Sequence, residues 1–207
     1  MTQATVYDGR ACELGEGAFW HPMREQLFWC DILGHRVLSR DASGPLEWNF
    51  GECVSALGWT DRDTLLVATE SRLCRLDLVS GKHATLVPLE ADDAGARSND
   101  GRADPFGGFW IGTMWKAAQP GAGALWRFHR GVLERLSSGL TIPNAICFSP
   151  DGRGAYFADT PTRRLMVQAL DVEGWPDGEP DLFVDLAPEG FDPDGAVVDG
   201  EGALWNA

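Results

Sequence analysis

Five positions in this 207-residue chain carry residue types that can hold and use a hard cation. Glu16, Asn99, Asn144 and Asp194 offer carboxylate or amide oxygens, and Ser55 takes a smaller fifth place in the same series. They follow one another at spacings of 39, 44, 45 and 50 residues. Ca²⁺ and similar ions take only oxygen ligands, usually about six to eight. Glu16, Asn144 and Asp194 would supply three protein ligands with two negative charges, leaving places for water and for a substrate carbonyl. That is the open coordination a catalytic metal needs. Oxygen-only donors favour Ca²⁺, Mg²⁺ or Mn²⁺ by hardness, with Zn²⁺ and Fe²⁺ as further options, and Ca²⁺ is the ion expected.

A structural repeat can bring residues so far apart in sequence together. Five segments share one plan: GEGAFWHPMREQLFWCDI, VSALGWTDRDTLLVATES, NDGRADPFGGFWIGTM, NAICFSPDGRGAYFADT and DGAVVDGEGALWNA. Each runs from a polar or small residue into a short apolar strand, a tight turn and a second apolar strand. Further strand-like runs (RVLSRD, RLCRLDL, ALWRFHR, LMVQALD) follow the first four copies. A propeller blade of four antiparallel strands takes about 40–50 residues, which matches the spacing. No window holds a helical apolar period over three turns. The prediction is an all-β chain, one propeller domain over 1–207. The innermost strand of each blade lines the channel, so the five polar starts form a ring at one mouth. Asp151 is an internal control: it too sits in Pro-Asp-Gly, but mid-blade, where it should serve a hairpin turn.

Other chemistries find little support. The net charge of −14 repels phosphate backbones and anionic membranes, so a nucleic-acid or membrane partner is not expected. Five cysteines with no C-x-x-C pair predict free thiols, mostly core filler, and not a disulfide framework or a zinc-thiolate site. The four histidines are scattered, and there is no G-x-S-x-G, H-E-x-x-H, P-loop or complete EF-hand loop. The N-terminal MTQATVYDGRACELG lacks a basic and apolar leader pattern, and no apolar run is long enough to span a bilayer. A cytoplasmic location is expected. Trp20, Trp29, Trp59, Trp110, Trp126 and Trp205 are expected mainly between blades, with Trp115 near the mouth. ATVYDGRACE reads as a strand without a partner. The chain ends inside the second strand of the fifth copy, which predicts a native product longer by about two blades.

LGEGAFW (14–20), RSNDGRADPFGGFWIGTM (97–114), IPNAICFSPDG (142–152) and PDGAVVDGEGALW (193–205) together resemble the SMP-30/gluconolactonase/regucalcin family. The resemblance spans nearly the whole chain. It implies a six-bladed β-propeller, of which this chain covers roughly four and a half blades. It also implies one divalent metal on Glu16, Asn144 and Asp194, substrate contacts at Arg97 and Asn99 with Asp100 beside them, and Asp194 as the group that activates or positions water. The implied reaction is hydrolysis of a sugar lactone to its aldonic acid. The alternatives are a regucalcin-like calcium-binding propeller without turnover, or hydrolysis of other esters or phosphotriesters at the same metal. Two departures stand out. Ala18 replaces a proline common in bacterial-type members, and Lys116-Ala117 stand where animal members place an acidic substrate contact. The second favours a bacterial type of sugar-lactone enzyme.

Overall fold

A computed structural model describes residues 5–207. Blade 1 comprises β1 (Gly15–His21), β2 (Gln26–Asp31), β3 (Arg36–Asp41) and β4 (Gly44–Asn49). Blade 2 comprises β5 (Val54–Asp61), β6 (Thr64–Thr69), β7 (Arg72–Asp77) and β8 (His83–Pro88). Blade 3 comprises β9 (Ala96–Ala103), β10 (Phe109–Trp115), β11 (Gly123–His129) and β12 (Val132–Leu140). Blade 4 comprises β13 (Pro143–Phe148), β14 (Gly154–Asp159), β15 (Arg164–Ala169) and β16 (Asp181–Asp185), with a 3₁₀ turn at Thr160–Thr162. A two-stranded sheet follows, β17 (Ala196–Val198) and β18 (Leu204–Asn206). All four blades are antiparallel meanders in chain order, and the innermost strands β1, β5, β9, β13 and β17 lie side by side in sequence. The chain is therefore an all-β, propeller-like arrangement of four blades.

Alternation along the second strands explains the apolar runs. Side chains of a strand point to opposite faces in turn, and a strand clasped between two blades must be apolar on both. On β6, Leu65 and Val67 pack with Phe28, Cys30 and Val37 of blade 1. Leu66 and Ala68, on the other face, pack with Phe109 and Ile111 of blade 3. On β10, Trp110 turns to Ile146 and Phe157 of blade 4. On β13, Ala145 and Cys147 pack against Ala196 of the last sheet. The core is thus a series of layers between blades, and it sets each innermost strand at a fixed distance from the next.

Several expectations are corrected. Residues 5–13 of the expected N-terminal strand are not a strand, and Ala4 lies outside the described residues. Among the described residues no strand pairs with that segment; it crosses blade 1 instead. Arg10 donates to the carbonyls of Ser39 and Leu46 and sits over the Trp29 ring at 5.3 Å. Trp110 is core as expected, but Trp20, Trp59 and Trp205 are exposed; Trp59 and Trp205 turn toward the channel. Trp115 covers Gly95, where a Cβ would meet its ring at 2.6 Å. The five cysteines are free thiols, four of them buried. Asp151 serves a hairpin turn, accepting from Arg153 N–H and the Ser149 hydroxyl. Among the described residues no helix is long and apolar enough to cross a membrane.

Candidate metal centre

One cavity of about 1030 Å³ sits among the innermost strands, and Glu16, Ser55, Arg97, Asn99, Asp100, Asn144 and Asp194 all line it. Every sequence-predicted site residue is therefore brought to one place. The local device is the β-bulge, an extra residue that bends a strand and re-aims its side chains. Pairing shifts just after Glu16 on β1 and just after Asn144 on β13. In both strands the residue following the oxygen donor takes a left-handed backbone, Gly17 at φ 61° and Ala145 at φ 59°. At Gly17 a side chain is also excluded by space, because a Cβ would lie 2.6 Å from the Ser55 carbonyl.

A second device fixes the approach to these two strands. The Asp31 carboxylate, at the end of β2, accepts from Glu13 N–H and Leu14 N–H at 2.9 and 3.0 Å. Asp159, at the end of β14, does the same for Thr141 N–H and Ile142 N–H at 3.0 and 2.8 Å. The next residue then closes the loop, Ile32 N–H to Leu14 C=O and Thr160 N–H to Ile142 C=O. Glu16 and Asn144 each stand two residues beyond that closure. In blade 3 the corresponding bond is Lys116 N–H to Gly95 C=O. It places Arg97, and not Asn99 as the sequence alignment had it, at the ring position. The bulge of the longer strand β9 comes later, on Asn99 and Asp100.

The polar side chains form one connected line. Arg97 donates to Asn99 Oδ1 at 2.9 Å, and Asn99 Nδ2 donates to Asn144 Oδ1 at 2.8 Å. Asn144 Nδ2 donates to the Thr160 hydroxyl, which donates in turn to the carbonyl of Pro193, the residue before Asp194. Asp100 lines the cavity, yet its carboxylate is engaged by main chain. Oδ2 accepts from Ile146 N–H at 2.7 Å and Oδ1 from Gly101 N–H at 2.8 Å. Ser55 is buried and donates to the Ser98 hydroxyl at 2.7 Å. Lys116 reaches Glu70 and the Ala94 carbonyl. Thr160 and Arg102 are site residues that sequence reasoning missed. Neither stands at a repeat position or in a metal-like spacing, so no local signal marked them.

The electrostatics suit a cation. Burial, together with the negative charges of Asp194 and Asp100, pushes the Glu16 carboxyl above its usual range, against the Gly17 N–H and Arg97. Burial likewise raises Asp100, against Ile146 N–H, Arg102 and Gly101 N–H. Burial lowers the Arg97 guanidinium, against the charges of Cys53, Glu16 and Glu70. Carboxylates crowded in this way are relieved by a positive ion. Among the described residues no Cys or His lines the cavity; apart from the Met114 thioether and the arginines, its polar side chains offer mainly carboxylate, amide and hydroxyl oxygens, the set that hard divalent ions prefer. Among the described residues no three His, Cys, Asp or Glu cluster as a metal set, so an amide oxygen such as that of Asn144 would have to join the carboxylates of Glu16 and Asp194. The residues present fit a divalent ion.

The chain is similar to known proteins. Residues 14–207 match the family described as the SMP-30/Gluconolactonase/LRE-like region. An L-arabinolactonase of Azospirillum brasilense is 36% identical over 99% of this chain and 70% of its own length. A 6-deoxy-6-sulfogluconolactonase of Pseudomonas putida is 33% identical over 94% of this chain and 68% of its own. Among solved structures, a calcium-binding protein, regucalcin, from Agrobacterium tumefaciens superposes with a TM-score of 0.93 at 36% identity, over 97% of this chain and 69% of that one. The chain belongs to the SMP-30/gluconolactonase family.

Proposed function

We propose that this chain is a metal-dependent sugar-lactone hydrolase that opens an aldonolactone to its aldonic acid. The observation that carries the reading is the meeting of Glu16, Asn144 and Asp194 at one cavity, beside Arg97 and Asn99. Two lactonases among the relatives support the reaction class. The proposed frame is a six-bladed propeller, of which these residues form four blades and part of a fifth.

Glu16, Asn144 and Asp194 are the proposed ligands of one divalent ion, Ca²⁺ first among the candidates. When bound, the ion supplies Lewis-acid polarisation of the lactone carbonyl and stabilises the negative charge that develops there. Asp194 orients a water and takes its proton as the oxygen adds to the acyl carbon. The ring C–O bond then breaks, and the leaving alkoxide recovers a proton to give the open hydroxy acid. Arg97 presents a planar guanidinium whose bonds run to the Ser98 carbonyl and Asn99 Oδ1, not to a carboxylate. It and Asn99 align the sugar oxygens, and such positioning can supply much of the rate gain.

The test is acid release from a panel of aldonolactones, with Ca²⁺, Mn²⁺ or Zn²⁺ added, a chelator as control and spontaneous opening subtracted. Metal-dependent acceleration that vanishes in Asp194→Asn is the expected result. Metal uptake without acceleration on any lactone would replace this reading with a binding propeller or another ester class.

A further inference from the structure

We propose that Arg102, with Asp100, is a positioning residue that sets the spacing of Asn144 and Asp194, a role that rests on the metal-site reading above. On β13 the bulge leaves Ala145 and Ile146 without a paired residue on β14. Buried main-chain groups must still find partners. Those of Ile146 find them across the blade boundary, on β9. Asp100 Oδ2 accepts the Ile146 N–H at 2.7 Å, and Arg102 Nε donates to the Ile146 C=O at 2.9 Å. The residue is held from both sides, and the left-handed Ala145 between it and Asn144 is held with it.

The same guanidinium reaches one strand further, with Nη2 donating to the Ala196 C=O at 2.9 Å. Ile146 lies two residues beyond Asn144, and Ala196 two residues beyond Asp194. One rigid fork therefore ties equivalent points on the two strands that carry these donors. A planar group with donors in fixed directions can do this; a single ammonium cannot bridge both carbonyls in the same way. Asn99 adds a third tie from β9, donating to the Pro143 C=O at 3.0 Å on the far side of Asn144. Outer groups that orient metal ligands typically change metal affinity by about 10–100-fold when removed.

Charge and position predict opposite results, which makes the test decisive. Deleting a cation from the wall of a cation site tightens binding by charge alone. Deleting a clamp loosens it. Ca²⁺ affinity is measured by calorimetry on the chain and on Arg102→Met, Arg102→Lys, Asp100→Asn, Asp100→Ala and Asp194→Asn, with thermal melting in chelator alongside. Arg102→Met should weaken Ca²⁺ about tenfold or more, with Arg102→Lys recovering part. Asp100→Asn, which keeps an acceptor for Ile146 N–H, should bind better than Asp100→Ala. This pair decides the matter if Arg102→Met does not fold. Wild-type or tighter Ca²⁺ binding in folded Arg102→Met, with binding lost in Asp194→Asn, overturns the clamp and leaves the metal site standing. Equal affinities for Asp100→Asn and Asp100→Ala also overturn it. A wild-type chain that binds none of Ca²⁺, Mn²⁺ or Zn²⁺ overturns the metal site, and the clamp with it.

Discussion

Blades 1 and 4 and blade 2 share one architecture but treat the same strand position differently. In blades 1 and 4 the innermost strand is entered through an aspartate, Asp31 or Asp159, that gathers two main-chain N–H groups. Two residues after the closing bond stands an oxygen donor, Glu16 or Asn144, and a left-handed residue follows it. In blade 2 the closing bond is Glu70 N–H to Cys53 C=O, and the matching residue before it is Thr69. Its hydroxyl turns back to Arg72 and does not gather the incoming strand. The ring residue is Ser55, buried against Ser98 with no left-handed residue after it. Glu16 and Asn144 thus stand where an entry carboxylate, a polar ring residue and a left-handed bulge coincide; blade 2 lacks the carboxylate and the left-handed residue, and its polar ring residue Ser55 is buried against Ser98.

The sharpest way to break this contrast is to delete the ring residue in each class. Asn144→Ala should weaken metal binding and lactone turnover by at least the roughly 100-fold that even an outer partner of a metal can cost. Ser55→Ala should leave both within about twofold, at a cost near 1 kcal/mol for its hydrogen bond. Calorimetry and initial rates compare them, and a matching loss in Ser55→Ala would end the distinction between the blades.

Next in size is the entry carboxylate. The Asp31 side chain is 1% exposed and pairs with Arg36 at 2.9 Å, besides holding its N–H groups. Asp31→Ala should cost about 3 kcal/mol in urea unfolding, because it strands several donors. Asp159→Ala should cost about 2 kcal/mol by the same mechanism.

Asp31 should also leave a mark in acid. Its burial raises the carboxyl, but the N–H groups of Leu14, Gly34 and Glu13 and the Arg36 guanidinium outweigh this and hold it below its ordinary value of 3.8. A lowered folded value adds stability that is present above pH 3.8 and is lost as pH falls through the lowered value. Asp31→Asn should therefore flatten the acid limb of stability against pH below 3.8, and an unchanged limb would remove Asp31 from the account.

The smallest expected effect separates two buried alanines. Ala145→Gly should be close to neutral, because relief of a left-handed backbone, about 1 kcal/mol, offsets the lost methyl burial of about 0.8 kcal/mol. Ala56→Gly, on the innermost strand of blade 2, has no such relief and should cost about 1.5 kcal/mol in the same unfolding measurement.

The amino-acid sequence by itself determined the repeat, the hairpin turns and most of the polar side chains that line the cavity. RVLSRD is β3 from end to end, Asp151 sits in a hairpin turn and Asp194 lines the cavity. These features were legible because two-residue alternation, turn residues and repeat spacing are local, and local chemistry is written along the chain. Only the tertiary structure decided the rest. Arg97, not Asn99, holds the ring position of blade 3, because where a bulge falls depends on pairing with the neighbouring strand. Asp100 turned to the Ile146 main chain, Thr160 joined the line from Asn144 to Pro193, and Arg102 bridged two strands. Each bond joins different blades or different segments of one blade. Such partners are chosen by the distance at which the apolar layers hold the strands, and no local pattern records that distance.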